Sequence, residues 1–373
     1  MKIFFYVQHL LGIGHLKRAG VLTAALRRSG FEVTLVSGGM PLRGIDVDVQ
    51  LAPASAADFT FRTLLDAAGR PVDDDWKRLR AGALLDAWRA ARADILLVEL
   101  FPFGRRQMRF ELLPLLEDAQ RLKPRPLVVC SVRDLIQSRP EREAETVELA
   151  KRFFDRILVH GDARLAGFER TFRSARELGD RPYQTGYVVE EAVASGEHGA
   201  EVLVSAGGGA VGRRLLECAM LAREQTLLRN ATWRVIAGVN CAESDWRALE
   251  RLVRPGVVLE RSRDDFTRLL SRCALSISQA GYNTVAETLQ ARVLAVLVPF
   301  SGGGESEQAL RAELLAERGA AHMTDEETLS PETLAEAVNR AARAPLPPAG
   351  LVDLNGAQRS AELLRRWLQG GSR

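Results

Sequence analysis

Near its start this 373-residue chain sets a histidine directly behind two closely spaced glycines, Gly12-Ile13-Gly14-His15, between an apolar run and an amphipathic one. Glycine in such a turn lets a ligand approach the backbone. A histidine in the first turn of a helix is held neutral by the dipole and suits general-base work. The other reading of His15 is a helix cap. His9, at the strand end, is read as packed. A second turn, Ser205-Ala206-Gly207-Gly208-Gly209-Ala210, again leads from strand to helix. Three successive glycines can aim N–H groups inward as an anion nest, or serve only as a flexible turn.

The richest stretch is Ser278-Gln279-Ala280-Gly281-Tyr282-Asn283-Thr284-Val285-Ala286-Glu287. It reads as strand, glycine turn and helix, with Asn283 or Thr284 as cap. A helix start beyond a parallel strand favours a phosphate. Glu287, one turn in, offers two oxygens to the hydroxyls of a ribose, so the expected ligand is a nucleotide. Further on, Ser301-Gly302-Gly303-Gly304-Glu305-Ser306-Glu307-Gln308 sets an acid and an amide at another helix start. They suit sugar hydroxyls; the alternative is a solvated loop with Ser306 as cap.

The elements that must position these groups alternate from end to end. Strands are expected at 2–8, 31–37, 95–99, 127–130 and 156–159, with helices near 15–29, 75–92, 108–122, 141–154 and 163–172. The unalternating run Ile95-Leu96-Leu97-Val98 suits a parallel sheet covered on both faces. After a polar stretch at 184–198 the plan restarts, with strands at 202–205, 233–237, 257–259, 275–277 and 294–298 and a helix over 213–228. Each glycine turn follows a strand carboxyl end, so the turns gather on one edge of each sheet. A last helix, 356–368, follows a proline-rich stretch.

Composition narrows the chemistry. An apolar fraction of 46% with 27% charged residues is that of a globular protein, and the net charge of +3 calls for no nucleic-acid partner. Only five of the 51 basic residues are lysine, so arginine clusters are weak evidence for phosphate sites. Cys130, Cys218, Cys241 and Cys273 are scattered, which argues against a zinc site or a disulfide framework and fits a reducing cytoplasm. The chain opens on a strand-like run rather than a signal peptide, and no apolar run is long enough for a membrane span. The first turn lacks the third glycine of a dinucleotide fingerprint, and the 31–37 strand ends in Ser37-Gly38-Gly39 without an acid, which counts against NAD. The Gly207–Gly209 turn lacks the Lys-Ser/Thr of a P-loop.

In order, these motifs resemble the GT-B glycosyltransferases. Within them they resemble the family 28 branch that holds the lipid II-forming N-acetylglucosaminyltransferases, and its uncharacterised "predicted glycosyltransferase" relatives. The resemblance rests on Gly14-His15, Gly207-Gly208-Gly209, Gly281 with Thr284-Val285 and Glu287, Val298-Pro299-Phe300, and Glu307-Gln308. It spans both halves and is most specific over 257–322. It implies an α/β GT-B fold, two Rossmann-like domains facing across a cleft. These would be an acceptor domain at 1–184, a nucleotide-sugar domain at 199–350, and a 351–373 segment whose helix packs back on the first domain. By the resemblance Glu287 holds the donor ribose, the Gly207–Gly209 loop the diphosphate, backbone near Arg263 the nucleobase, and Gln308 the donor sugar. His15 faces the acceptor and donor phosphates. The first turn has fewer glycines than that branch, Glu307 replaces one of its paired glutamines, and Glu99-Leu100-Phe101-Pro102-Phe103-Gly104-Arg105-Arg106 has no counterpart in it.

The reaction implied is sugar transfer from a nucleotide-diphosphate donor, a UDP-sugar such as UDP-N-acetylglucosamine, to an unknown acceptor. No Asp-x-Asp run is read as a metal holder, so helix N-termini and glycine-loop N–H groups are expected to meet the leaving-group charge without a cofactor. His15 is the leading base, with Glu99 as the alternative. Gly12, Gly14, Arg105 and Arg106 are expected at the phosphates or an anionic acceptor; for the arginines a solvated surface is the competing reading. Phe59-Thr60-Phe61-Arg62-Thr63-Leu64-Leu65 and Phe101-Pro102-Phe103 would suit a lipid interface if the acceptor is lipid-linked, and a core otherwise. The expected location is the cytoplasm, extending to the inner face of the membrane. A nucleotide-sugar hydrolase or 2-epimerase on the same fold, and a non-catalytic GT-B-like subunit, are the alternatives.

Overall fold

The computed structural model describes residues 1–58, 61–137, 139–191, 199–208, 211–302 and 306–370. Its backbone forms two compact units, Met1–Val188 with Val352–Arg373, and Val189–Leu351.

The first unit runs β1 (Lys2–Val7), α1 (Gly14–Arg28), β2 (Glu32–Ser37), β3 (Val49–Gln50), a short hairpin of β4 (Ser55–Ala56) and β5 (Leu64–Leu65), α2 (Asp74–Ala91), β6 (Ile95–Glu99), α3 (Arg109–Arg121), β7 (Leu127–Arg133), α4 (Pro140–Phe153), β8 (Arg156–His160) and β9 (Pro182–Gln184). Seven strands pair in parallel in the order β3-β2-β1-β6-β7-β8-β9. The apolar run of β6 is explained by its two faces. Leu96 and Val98 join Phe4, Tyr6, Trp88 and Leu112 in one core, while Ile95 and Leu97 join Phe5, Val7 and Leu22 in the other.

The helix expected over 163–172 does not form; the chain makes 3-10 turns at Phe168–Arg170 and Arg173–Leu178. These turns deliver Phe168 and Phe172 edge-on to Phe103, with ring centroids 5.3 and 5.2 Å apart. Tertiary aromatic packing outweighs local helix preference here. Phe101 and Phe103 are therefore buried core residues, not a lipid-facing pair. Phe59 and Thr60 lie outside the described residues, and Leu64 is buried.

The second unit runs β10 (Val202–Ser205), α5 (Arg213–Ala222), β11 (Trp233–Ile236), α6 (Glu243–Glu250), β12 (Val257–Glu260), α7 (Phe266–Leu270), β13 (Leu275–Ser278), α8 (Tyr282–Ala291), β14 (Leu294–Leu297), α9 (Glu307–Glu317), β15 (His322–Met323) and α10 (Pro331–Arg343). Its six strands pair in parallel as β12-β11-β10-β13-β14-β15. The helix expected to reach 228 stops at Ala222 and tightens into a 3-10 turn, Arg223–Gln225.

The chain then returns to the first unit as α11 (Gly356–Gln369), which lays Ala357, Ala361 and Leu364 against Leu16 and Leu22 of α1. Arg365 donates to the carbonyl of Ser29, a free group at the end of α1. Among the described residues no helix is long and apolar enough to cross a membrane.

Candidate active site

In the first sheet the strand order reverses between β1 and β6, and the crevice beyond their carboxyl ends is where open parallel sheets bind ligands. β1 leads through Gly12 into α1, whose second residue is His15, and β6 ends on Glu99. These two side chains meet, with His15 Nδ1 2.9 Å from Glu99 Oε1. The cap reading of His15 fails, because α1 begins at Gly14 behind Ile13 with no side-chain cap.

Two further groups hold the Glu99 carboxylate, and a third backs one of them. Arg18, one turn along α1 from His15, pairs with Oε1. Ser131 on β7 donates to Oε2 at 2.6 Å, and His160 on β8 lies 3.0 Å from the Ser131 hydroxyl. The remaining nitrogen of His160 sits 2.9 Å from the Thr185 hydroxyl. One proton arrangement fits a carboxylate that can only accept. Ser131 donates to Glu99, His160 donates from Nε2 to Ser131, and Thr185 donates to His160 Nδ1.

Charge states follow from burial. His160 is pushed down to about 3, by burial and next by Arg18, and is neutral. Burial works against ionisation of Glu99, but Arg18, His15 and Ser131 overcome it and hold its carboxyl below the usual carboxylate range. His15 lies well below its ordinary value through burial first and Arg105 second, with Glu99 pulling the other way. Burial and a neighbouring cation thus keep it neutral. A neutral His15 that donates from Nδ1 to Glu99 presents the Nε2 lone pair, which has no hydrogen-bond partner among the described residues. Glu99 does not suit the alternative role of base: its lowered pKa makes it a weak proton acceptor, and it is 1% exposed and bonded on both oxygens.

Arg105 adds positive charge. Its backbone is left-handed at φ 59°, a strained conformation for a residue other than glycine, and its Nε donates to the Gln8 carbonyl at 2.7 Å. Burial first, then Arg133, brings its pKa down to about 10, so it remains a cation. Arg18, Arg105 and Arg133 outnumber Glu99, which leaves this strand edge suited to an anion. Arg106 does not join them. Its guanidinium bonds Glu145 at 2.6 Å and Thr146 at 2.9 Å on α4, a structural tie.

The β1 exit is anchored from beneath. Arg80 on α2 bonds Glu111 at 2.7 and 3.0 Å and the Gly38 carbonyl at 2.9 Å, and it also reaches Gln8, while Tyr6 donates to Glu111. His9 is buried against Gly39 and lowered to about 4 by burial and Arg105.

The second sheet reverses between β10 and β13, and the two motif turns of that half leave those two strands. Gly207 has φ +63°, which only glycine adopts without strain, and the Gly208 carbonyl accepts from Asn240 N at 3.1 Å. Gly209 lies outside the described residues. Gly281 is the N-cap of α8 at φ −65°, an ordinary conformation, and an added Cβ there would meet nothing within 4 Å. A sharp turn therefore does not explain this glycine. Asn283 and Thr284 fall inside the first turn rather than at the cap, and the Gly281 N-cap brings no side-chain cap to α8. Glu287 follows on the same helix, half-buried.

The later residues divide. Gln308 accepts from Phe300 N at 3.2 Å through its carbonyl oxygen, which leaves its amide NH2 to donate to a ligand. Glu307 is 2% exposed, and the α9 start makes no Ser306 side-chain cap. Arg311, also buried, donates to the Ala280 carbonyl at 2.8 Å and props the turn before Gly281. The Arg263 guanidinium is occupied by Asp265 at 2.8 and 3.0 Å and by Glu260, which leaves only backbone there for a base.

Two Asp-x-Asp runs do occur, Asp46-Val47-Asp48 and Asp73-Asp74-Asp75. Asp48 accepts from Leu35 N and Arg27, and Asp73 caps α2 through Trp76 N. Among the described residues no three His, Cys, Asp or Glu side chains group as a metal site.

Arg18, Ser131, His160, Thr185 and Arg311 escape a sequence reading. Ser131 and His160 lie just past the apolar runs expected as strands, yet both strands continue through them. A polar residue ending an apolar parallel strand is the signal that would have found them.

Two α/β units with parallel sheets and these exits define the GT-B class of fold. The chain matches the glycosyltransferase family 28 C-terminal domain over residues 248–355. It is 31% identical over 175 residues to the UDP-N-acetylglucosamine--N-acetylmuramyl-(pentapeptide) pyrophosphoryl-undecaprenol N-acetylglucosamine transferase of Thermotoga neapolitana, covering 46% of this chain and 49% of that one. An uncharacterised glycosyltransferase of Methanopyrus kandleri is 29% identical over 164 residues, 44% of each chain. The chain thus spans less than half the length of these curated relatives. Its fold matches Acinetobacter baumannii MurG with a TM-score of 0.60 at 15% identity, over 98% of this chain and 99% of that one. A Listeria monocytogenes protein described as a UDP-N-acetylglucosamine 2-epimerase matches with a TM-score of 0.63 at 13% identity, over 100% and 98%.

Proposed function

We propose that this protein is a glycosyltransferase that moves a sugar from a nucleotide-diphosphate donor to a hydroxyl of an anionic acceptor. The observation that carries the reading is the His15–Glu99 pair at the first switch point, 2.9 Å apart, with Nε2 left as a base. In the step, Nε2 takes the acceptor proton as the acceptor oxygen bonds the anomeric carbon. The bond from that carbon to the diphosphate breaks, and its electron pair leaves on the nucleoside diphosphate.

The second unit supplies the donor groups: N–H groups of the Gly207–Gly209 turn and the α8 start for the diphosphate, Glu287 for the ribose, and Gln308 for the sugar. A UDP-sugar such as UDP-N-acetylglucosamine is the first donor to test, since the Thermotoga relative is named for it. That name also contains a pyrophosphoryl-undecaprenol, which makes a lipid-linked diphosphate the first acceptor to test. Arg105 would hold its charge. Such an acceptor would put the protein at the inner face of the membrane, in contact with the cytoplasm.

The test is nucleotide release from a panel of UDP-sugars, with and without acceptor, in wild type, His15→Ala and Glu287→Ala. Acceptor-dependent release lost in both variants supports the reading. Full activity in both overturns the assignments. Free sugar, or its 2-epimer, formed from donor alone at the full rate replaces transfer with hydrolysis or epimerisation.

A further inference from the structure

Behind Glu99 a buried polar row crosses the carboxyl edge of the first sheet. Ser131 lies beside Glu99 in the β6–β7 register, and His160 lies one strand further out. Thr185, just past β9, closes the row. Glu99, Ser131, His160 and Thr185 are each at most 1% exposed. Four polar groups in a sheet interior cost stability unless each is satisfied, and here each donor meets an acceptor. None of the last three touches the face that His15 presents. They reach it only through the second oxygen of Glu99.

We propose that Ser131 and His160 are positioning residues that lock the Glu99 carboxylate so that its other oxygen fixes His15 in the Nδ1–H tautomer. The row has a direction. The Glu99 carboxylate can only accept, so Ser131 donates to Oε2, His160 donates to Ser131 from Nε2, and Nδ1 is left to accept from Thr185, whose hydroxyl also lies 2.9 Å from the Gly186 carbonyl. With Oε2 held, the carboxylate plane cannot rotate, and Oε1 stays 2.9 Å from His15 Nδ1. The charged and titratable groups that face this pair are Arg18 on α1, Arg105 in the loop after β6, Arg133 at the end of β7 and His160 on β8. The proposal rests on His15 being the base.

Its test compares Ser131→Ala with Ser131→Thr, which keeps the hydroxyl. Readouts are kcat, donor KM, the pH profile of kcat/KM and the imidazole 15N spectrum of His15. Ser131→Ala is expected to lower kcat roughly 10–100-fold with donor KM unchanged. Its acid limb should move up by about half a pH unit, because a carboxylate relieved of one donor attracts the proton of His15 more strongly. The spectrum should show a mixture of tautomers, and Ser131→Thr should restore most of kcat. His160→Gln retains an N–H donor and covers the case in which Ser131→Ala fails to fold; it should keep the wild-type tautomer, whereas His160→Leu should not. Wild-type kinetics and spectrum in both Ser131→Ala and His160→Leu overturn the proposal while leaving the function intact. Equal losses in Ser131→Ala and Ser131→Thr reduce Ser131 to packing and overturn it too. Full activity of His15→Ala removes both the proposal and the base on which it rests.

Discussion

His15 and Glu99 stand 84 residues apart in the chain and 2.9 Å apart in space, each at the exit of one of the two strands that flank the first switch point. That one relationship turns a glycine-flanked histidine into an oriented, neutral imidazole with a buried anion behind it.

A lowered His15 pKa fixes the sign of the pH dependence. The base is already neutral at pH 6.5, so kcat/KM should stay flat from pH 8 down through 6.5 and fall only in more acidic buffer. His15→Gln should lose about 10²–10⁴ in kcat and lack that limb. A wild-type profile that halves near pH 7 would contradict the assignment.

Glu99→Gln keeps the shape and removes the charge. Arg18 loses its carboxylate, and the amide can offer His15 an N–H in place of an acceptor. Unfolding free energy should drop by about 3–5 kcal/mol, as for one broken buried pair, and kcat by at least about a hundredfold. Denaturant titration and steady-state kinetics measure the two losses separately.

Neighbouring arginines should behave oppositely. Arg105→Gln should raise acceptor KM about tenfold or more and leave donor affinity alone. Arg106→Gln breaks a half-exposed tie to Glu145 and should cost at most about 1 kcal/mol, with both KM values unchanged. Matching KM effects in the two variants would remove Arg105 from the anion site.

Gly281→Ala separates folding from binding. Its φ of −65° and the open space around it predict a melting temperature equal to or above wild type. A methyl at the uncapped start of α8 should nonetheless weaken nucleotide-sugar binding about tenfold or more by calorimetry, because the diphosphate must approach the backbone there. Unchanged affinity would detach this turn from the donor.

Acid should destabilise the first unit earlier than its carboxylates require. His9 and His160 are lowered to about 4 and about 3, so below pH 6.5 the unfolded chain binds protons that the folded one refuses. Each histidine then removes about 1.4 kcal/mol per pH unit until its folded pKa is reached. Glu99 adds its loss only at lower pH, as its carboxyl is protonated. Denaturation at pH 6.5, 5.5 and 4.5 should show a shallower slope in His160→Gln than in wild type.

Much of this molecule was legible in one dimension. The strand and helix alternation and the glycine turns at strand exits follow from hydrophobic period and turn residues, which act over a few neighbours. Boundaries were less legible: stopping β7 at Cys130 and β8 at Val159 hid Ser131 and His160 by one residue each. The expected helix at 163–172 failed because Phe168 and Phe172 pack better on Phe103 than on a helical neighbour.

What the sequence determined by itself was the kind of sheet and the turns that could hold a phosphate, since both are written in local patterns. Only the tertiary structure decided which side chains meet. Strand order brought the Glu99 carboxylate within 2.9 Å of His15. A left-handed residue sent Arg105 inward while Arg106, next to it, was tied to α4. The reason is physical: pairing of strands far apart in the chain is settled by the packing of whole faces, which no short window contains.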